Sequence, residues 1–184
     1  MIPEFSFFKK IILTLFSGLI LGAVLAFAAL NLIGPRNGLV SFGNWHSLAL
    51  TASSDAGIWE RAWIAGHGLF ALPKEAAIYF TRTKDDSGKL LSDKCTYIIS
   101  GSDLPAEWWS ITAYDEAGFL PQNPGPYSLT KTQMNQSEKS WSVEIPDEKT
   151  INLREAGNFS LMLRIYMPGK IQALPITVVL KACR

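Results

Sequence analysis

The chain has 184 residues, of which 48% are hydrophobic and 18% charged, and its formal net charge is +1. This size and composition predict one globular domain with its own core and exclude a disordered tail. The balanced charge argues against nucleic-acid binding, and two histidines and two cysteines are too few for a zinc-cluster protein or a disulfide-dense mini-domain.

The start of the chain predicts a membrane helix. Residues 11–33 carry no charged side chain and are long enough to cross a hydrocarbon core of about 30 Å. Lys9 and Lys10 precede this span, so the positive-inside rule places residues 1–10 in the cytoplasm. We therefore expect a single-pass protein of a bacterial inner membrane, with lipid contact through the span and a periplasmic C-terminal domain. A signal peptide cleaved near Ala28 is the alternative, and it exports the same domain.

The cysteines fit an exported domain. In an oxidising compartment an even cysteine count favours a disulfide, and Cys95 can pair only with Cys183. Two buried free thiols are the alternative. The histidines, His46 and His67, are isolated in the sequence, so we expect no metal site, and no motif indicates a cofactor.

A linker and a helix are expected between the membrane span and the strands. Residues 34–54 form a polar, glycine-containing stretch, which we interpret as a juxtamembrane linker to a domain over residues 55–184. Apolar residues at helical spacing predict a short amphipathic helix from Asp55 to Ala65, and Gly66 ends it.

After Pro73 the apolar residues recur with a period of two, which is typical of strands. Many short one-sided strands separated by turn residues favour a mainly β fold, an antiparallel β-sandwich of jelly-roll type. The predicted strands are Glu75–Thr83, Cys95–Ser100, Trp108–Tyr114, Tyr127–Thr130, Ser140–Ile145, Phe159–Met167 and Ile176–Lys181.

The candidate binding residues are aromatic and basic. Alternation along the third predicted strand puts Trp108 and Trp109 on opposite faces, so the core needs only one of them. A tryptophan outside the core offers a rigid platform for a sugar or another planar ligand. Arg82 and Arg164 can bind an anion, with ordinary cross-strand ion pairs as the alternative. The predicted ligand-binding residues are Arg82, Trp109, Tyr114, Asp115, Arg164 and Tyr166.

No catalytic constellation is recognised in the sequence. The chain has no G-x-S-x-G elbow and no glycine-rich phosphate loop. We therefore expect an envelope module that binds a ligand or has a structural role. One alternative is an enzyme that acts on a glycan or a lipid-linked substrate, with Asp115 or Glu116 as acid or base. The other is a domain that docks a protein partner.

A series of short motifs runs through the predicted domain. They are LPKEAAIYF at 72–80, CTY at 95–97, WWSITAYD at 108–115 and FSLMLRIY at 159–166. Together they resemble the bacterial family known as domain of unknown function 1214, across residues 56–183. The resemblance implies a jelly-roll-like β-sandwich in an exported protein with no assigned activity. Family members often carry a Gly-Asn-Trp-Leu-Pro-like segment before the last long strand, where this chain has only Gly157-Asn158, which implies an altered pocket.

Overall fold

The computed structural model describes residues 4–32, 39–48, 57–58, 61–62, 72–73, 75–122, 124–134 and 140–183. The chain divides into two compact units. The first unit comprises Met1–Arg36 and Ala56–Phe70, and the second comprises Asn37–Asp55 and Ala71–Arg184.

The first unit contains the predicted apolar helix. Helix α1 extends over Glu4–Leu32. Within it, Phe7–Leu30 has a mean hydropathy of 2.5 and is long and apolar enough to cross a membrane. This stretch is compatible with a single-pass anchor, and a signal sequence would share these properties. Ile33, the last residue of the predicted span, lies outside the described residues.

The predicted amphipathic helix Asp55–Ala65 is described only in part. Gly57, Ile58, Arg61 and Ala62 belong to the described residues, and the Arg61 N–H donates to the Gly57 carbonyl at 3.1 Å. A hydrogen bond over four residues is the helical spacing. The rest of the predicted helix lies outside the described part of the chain.

The second unit is built from antiparallel strands, which confirms the mainly β fold and its two sheets. A six-stranded sheet has the order β1-β2-β3-β8-β5-β6, and a three-stranded sheet has the order β7-β4-β9. A short 3-10 helix, Lys131–Gln133, follows β6. The strands are β1 Leu39–Phe42, β2 Trp45–Leu48, β3 Ala77–Arg82, β4 Cys95–Ser102, β5 Ala106–Asp115, β6 Ser128–Thr130, β7 Ser140–Ile145, β8 Phe159–Pro168 and β9 Ile176–Cys183.

Strands β1 and β2 lie where the sequence predicted a linker over residues 34–54. The structure corrects that prediction, because the two strands pair as a hairpin whose turn includes Gly43 with a φ of 60°. Trp45 is 1% exposed, and its indole Nε1 donates to the Ile176 carbonyl at 3.1 Å. Two alternating four-residue runs separated by Gly-Asn are typical of a hairpin. The polar composition of the segment led instead to its interpretation as a linker.

Both sheets contribute to one apolar core. Ile111 of β5 and Leu163 of β8 are fully buried, and so are Ile99 of β4 and Val178 of β9. These four residues belong to a single cluster of buried side chains. The apolar side chains of both sheets therefore point into this core, and the side chains that alternate with them in the six-stranded sheet point away from it.

A disulfide closes the end of the three-stranded sheet. Cys95 begins β4 and Cys183 ends β9, and the two residues are register partners. Their sulfurs are bonded, which agrees with the pairing expected from the sequence. The bond joins residues separated by 88 positions in the chain. It therefore ties the C-terminal strand to a strand near the middle of the sequence.

Replacing both cysteines with serine is expected to lower the free energy of unfolding by about 2–5 kcal/mol, because a cross-link over a long loop restricts the unfolded chain. The measurement is urea unfolding of the detergent-solubilised full chain, followed by tryptophan fluorescence. Reductant should destabilise the wild type and leave the double variant unchanged. Equal stability of the oxidised and reduced wild type would contradict the stabilising role of the bond.

Candidate functional site

The outer face of the six-stranded sheet brings several predicted site residues together. Along β8 the buried Leu163 and Ile165 alternate with the partly exposed Arg164 and Tyr166. Register partners point to the same face of a sheet, so residues of β3, β5 and β6 join them there. We name this surface the arginine face; it consists of Tyr79, Trp108, Ser110, Thr112, Tyr114, Ser128, Arg164 and Tyr166.

Arg164 is held by hydroxyl groups. Its Nη1 donates to Thr112 Oγ1 at 3.1 Å, and its Nη2 donates to the Tyr114 hydroxyl. The guanidinium carbon lies 5.5 Å from the centroid of the Tyr114 ring, at cation–π distance. The Thr112 hydroxyl is itself 2.9 Å from the Ser128 hydroxyl. These contacts fix the guanidinium over the β5 end that leads to Tyr114.

The hydrogen-bond partners of Arg164 are hydroxyl groups, and no carboxylate among the described residues pairs with its charge. The ion pairs found among the described residues join other side chains and do not include Arg164. A guanidinium stays charged at every physiological pH and offers five N–H donors in a planar fork. A partly buried guanidinium of this kind can bind a carboxylate or a phosphate through paired hydrogen bonds.

Trp108 and Tyr166 form an aromatic pair at the other end of the arginine face. The two residues are register partners, and their ring centroids lie 5.5 Å apart. Trp108 is 36% exposed, and its Nε1 donates to Thr132 Oγ1 at 3.1 Å. The indole is therefore fixed in orientation while part of its surface stays open to solvent.

The structure places Trp109 in the core instead of on the arginine face. Its register partner is the buried Ile165, it is 1% exposed, and its ring stacks on Trp141 with centroids 5.1 Å apart. The sequence-based assignment of Trp109 as a binding residue thus falls on the wrong member of the tryptophan pair for this face. Strand alternation separates the two residues correctly, and Trp108 occupies the outer position.

Asp115 also lies apart from the arginine face. Its register partner is the buried Phe159, and its Oδ1 accepts a hydrogen bond from the Phe119 N–H at 2.8 Å. The Asp115 N–H in turn donates to the Phe119 carbonyl at 2.8 Å. The carboxylate therefore shapes the turn that follows β5, in which Glu116 is exposed.

Arg82 faces the core, in contrast to Arg164. It is 1% exposed, and its Nε donates to the Lys84 carbonyl and its Nη2 to Asp86 Oδ1, both at 2.8 Å. Its guanidinium carbon lies 5.1 Å from the centroid of the Trp45 ring. Asp86 Oδ2 accepts the N–H of Val178 in β9 at 3.0 Å. The Arg82–Asp86 ion pair thus connects the two sheets, although Asp86 lies in the turn after β3 and not on a neighbouring strand, where the ion-pair alternative placed the partner.

The neighbouring Asp85 is a buried carboxylate in the turn after β3. Burial acts to raise its pKa, but hydrogen bonds from the Ser87 hydroxyl at 2.7 Å and the Lys89 N–H at 3.0 Å outweigh burial. The net effect holds the pKa of Asp85 below its ordinary value. At Tyr97 the net effect is the opposite, because burial prevails there and raises the pKa of the phenol.

Three residues of the arginine face were missed by the site prediction although the sequence carried a signal for them. Trp108, Ser110 and Thr112 alternate with Tyr114 along one predicted strand, and this spacing is enough to group them. Ser128 was also missed, and its place beside Thr112 depends on the pairing of β5 with β6. No periodicity within a single strand reveals that pairing.

Comparison with known proteins supports the fold and supplies no activity. A family model described as "Protein of unknown function (DUF1214)" matches residues 76–170, a range that contains the whole arginine face. A crystal structure of the VPA0106 protein from Vibrio parahaemolyticus is similar, with a TM-score of 0.53 and 19% identity. The match covers 68% of this chain and 36% of that protein, so this chain spans about a third of its length. Comparison with curated proteins finds no match.

The lowered pKa of Asp85 predicts how the free energy of unfolding depends on pH. Its folded pKa is lowered, so its ionisation stabilises the fold above the ordinary carboxyl pKa of about 3.9, and this stabilisation is lost as pH falls through the folded pKa. Asp85→Asn should therefore destabilise the protein at pH 7 and flatten the loss of unfolding free energy below about pH 4. Urea unfolding across this pH range measures both effects.

The control for this prediction is Glu148→Gln, since that side chain is 84% exposed and its ion pair with Arg154 spans 3.6 Å. It should follow the wild-type pH profile. Parallel pH profiles for Asp85→Asn and the wild type would show that Asp85 does not contribute to acid stability.

Proposed function

Since the chain belongs to the DUF1214 family, whose description assigns no activity, we propose its function from its own geometry. It is a membrane-anchored binding module of the bacterial envelope, and the arginine face is its binding surface. The bound group is an anion held by Arg164. The rest of the arginine face orients the ligand around that anion.

The observation that carries this proposal is the environment of Arg164. Its hydrogen bonds go to the neutral hydroxyls of Thr112 and Tyr114. Partial burial removes water from a guanidinium, and neutral partners return only part of the lost interaction. An anion from outside the chain would replace the lost interaction with water, because it accepts charge-assisted hydrogen bonds from the guanidinium. The site is also preorganised, because those hydroxyls already hold the guanidinium in place.

Several sequence features support an envelope location. Helix α1 is a suitable anchor, and Lys9 and Lys10 before the apolar stretch favour a cytoplasmic N-terminus. The bond between Cys95 and Cys183 fits an oxidising compartment, which for a bacterial protein is the periplasm. We therefore place the second unit, as a sandwich of jelly-roll type, on the periplasmic side of the inner membrane.

Binding is favoured over catalysis by the composition of the arginine face. Its eight residues supply one guanidinium, hydroxyls and aromatic rings, and none of them is a carboxylate, a histidine or a thiol. Asp115, the acid or base of the enzyme alternative, uses its Oδ1 to hold the turn at Phe119. These groups suit recognition of a ligand better than proton transfer to it.

The proposal predicts that Arg164→Gln weakens the binding of acetate and of inorganic phosphate by about tenfold or more, because charge-assisted hydrogen bonds are lost. The measurement is a chemical-shift titration of the full chain in detergent, at constant ionic strength with chloride as the competing salt. A wild-type-like affinity in Arg164→Gln would contradict the proposal.

Arg154→Gln is the matched control. It removes the same charge from the same unit, at a side chain that is 72% exposed and lies 3.6 Å from the Glu148 carboxylate. It should bind both anions as the wild type does. An equal loss in both variants would assign the effect to net charge instead of to the arginine face.

A further inference from the structure

The arginine face has a second binding feature, the exposed part of Trp108, which a small anion bound to Arg164 cannot reach. The guanidinium of Arg164 is bonded to Thr112 and Tyr114, near the end of β5. Trp108 lies on the same face of the same strand, four residues before Thr112. At about 3.3 Å per residue, the two positions are about 13 Å apart along the strand. A ligand that touches both must extend along β5.

The aromatic end of the face has the properties of a stacking platform. The Trp108 indole is held by its hydrogen bond to Thr132 and by the Tyr166 ring, yet 36% of the residue is exposed. A ring fixed before binding loses little conformational entropy when a ligand stacks on it. The β5 residues between Trp108 and the guanidinium on this face, Ser110 and Thr112, are each 4% exposed, so a ligand that spans the site contacts its two ends and not these side chains.

We propose that the ligand of the arginine face is an acidic oligosaccharide, an inference that rests on the anion-binding function proposed above. A carboxylate on one sugar pairs with the Arg164 guanidinium. The ring of another sugar, further along the chain, stacks on Trp108. The separation of the two features requires more than one sugar unit, so affinity must rise with the length of the oligomer.

The position of the site in the sheet favours a glycan over an acidic peptide. Strands β5 and β8 each have a neighbour on both sides, in the order β3-β8-β5-β6. A peptide strand therefore finds no free backbone edge there to pair with. A sugar needs no such edge, because its apolar ring face stacks on an indole and its hydroxyls bond to side chains.

The test is calorimetric titration of the full chain in detergent with four probes: galacturonate, its α-1,4-linked trimer, the neutral trisaccharide maltotriose and the acidic peptide triglutamate. We expect the wild type to bind the acidic trimer about five- to tenfold more tightly than the monomer, as one aromatic stacking contact provides. Maltotriose should bind at least about tenfold more weakly than the acidic trimer, because it has no group for Arg164.

Variants separate the two ends of the site. Trp108→Ala should reduce trimer affinity to about that of the monomer, and a circular dichroism spectrum like that of the wild type shows that the variant is folded. Arg164→Gln should weaken both acidic probes. Phe119→Ala is the matched control, because this aromatic side chain is 69% exposed and lies in the turn after β5, outside the arginine face.

Each other outcome overturns a defined part of the account. If monomer and trimer bind equally and both depend on Arg164, the oligosaccharide inference is wrong and the anion-binding function stands. If triglutamate binds more tightly than the acidic trimer, the ligand class is a peptide and the glycan inference is wrong. If no acidic probe binds, the proposed function itself fails.

Discussion

The pairing of β5 with β8 determines both faces of the six-stranded sheet. Each strand has ten residues, and their register extends from Ala106 opposite Pro168 to Asp115 opposite Phe159. Because side chains alternate along a strand, the residues that fill the core fix which residues face outward. A shift by one residue would exchange the two faces and bury Arg164. The candidate binding surface is thus a consequence of core packing.

The sequence predicts those parts of the fold that depend on one strand at a time. All seven predicted strands are present, because each has its own alternation of apolar and polar residues; Ser140–Ile145 has the predicted bounds, and the other six differ by one or two residues at one or both ends. The β1–β2 hairpin was missed because its strands are short and contain polar residues such as His46. Its burial depends on Trp45, whose contact with Ile176 joins residues 131 positions apart. A local pattern carries no information about such a contact.

Two arginines show why the site is harder to predict than the fold. Arg82 and Arg164 both lie in alternating strands and had equal claims as anion-binding residues. In the structure Arg82 is buried against Asp86, which follows it by four residues in a turn. Arg164 meets the hydroxyls of Thr112 and Tyr114, about fifty positions away in the chain. The partner decides whether an arginine holds the fold together or can bind a ligand, and for Arg164 the strand register supplies that partner.

The most direct test of the account is a side-chain NMR titration of the arginine Nε–H resonances with the trigalacturonate probe. The account predicts a saturable shift of the Arg164 resonance, while the resonances of the ion-paired Arg82 and Arg154 stay in place. Such a result would show that the guanidinium without a carboxylate partner is the group that meets the ligand. An unchanged Arg164 resonance at saturating ligand would contradict the central claim that the arginine face is the binding surface.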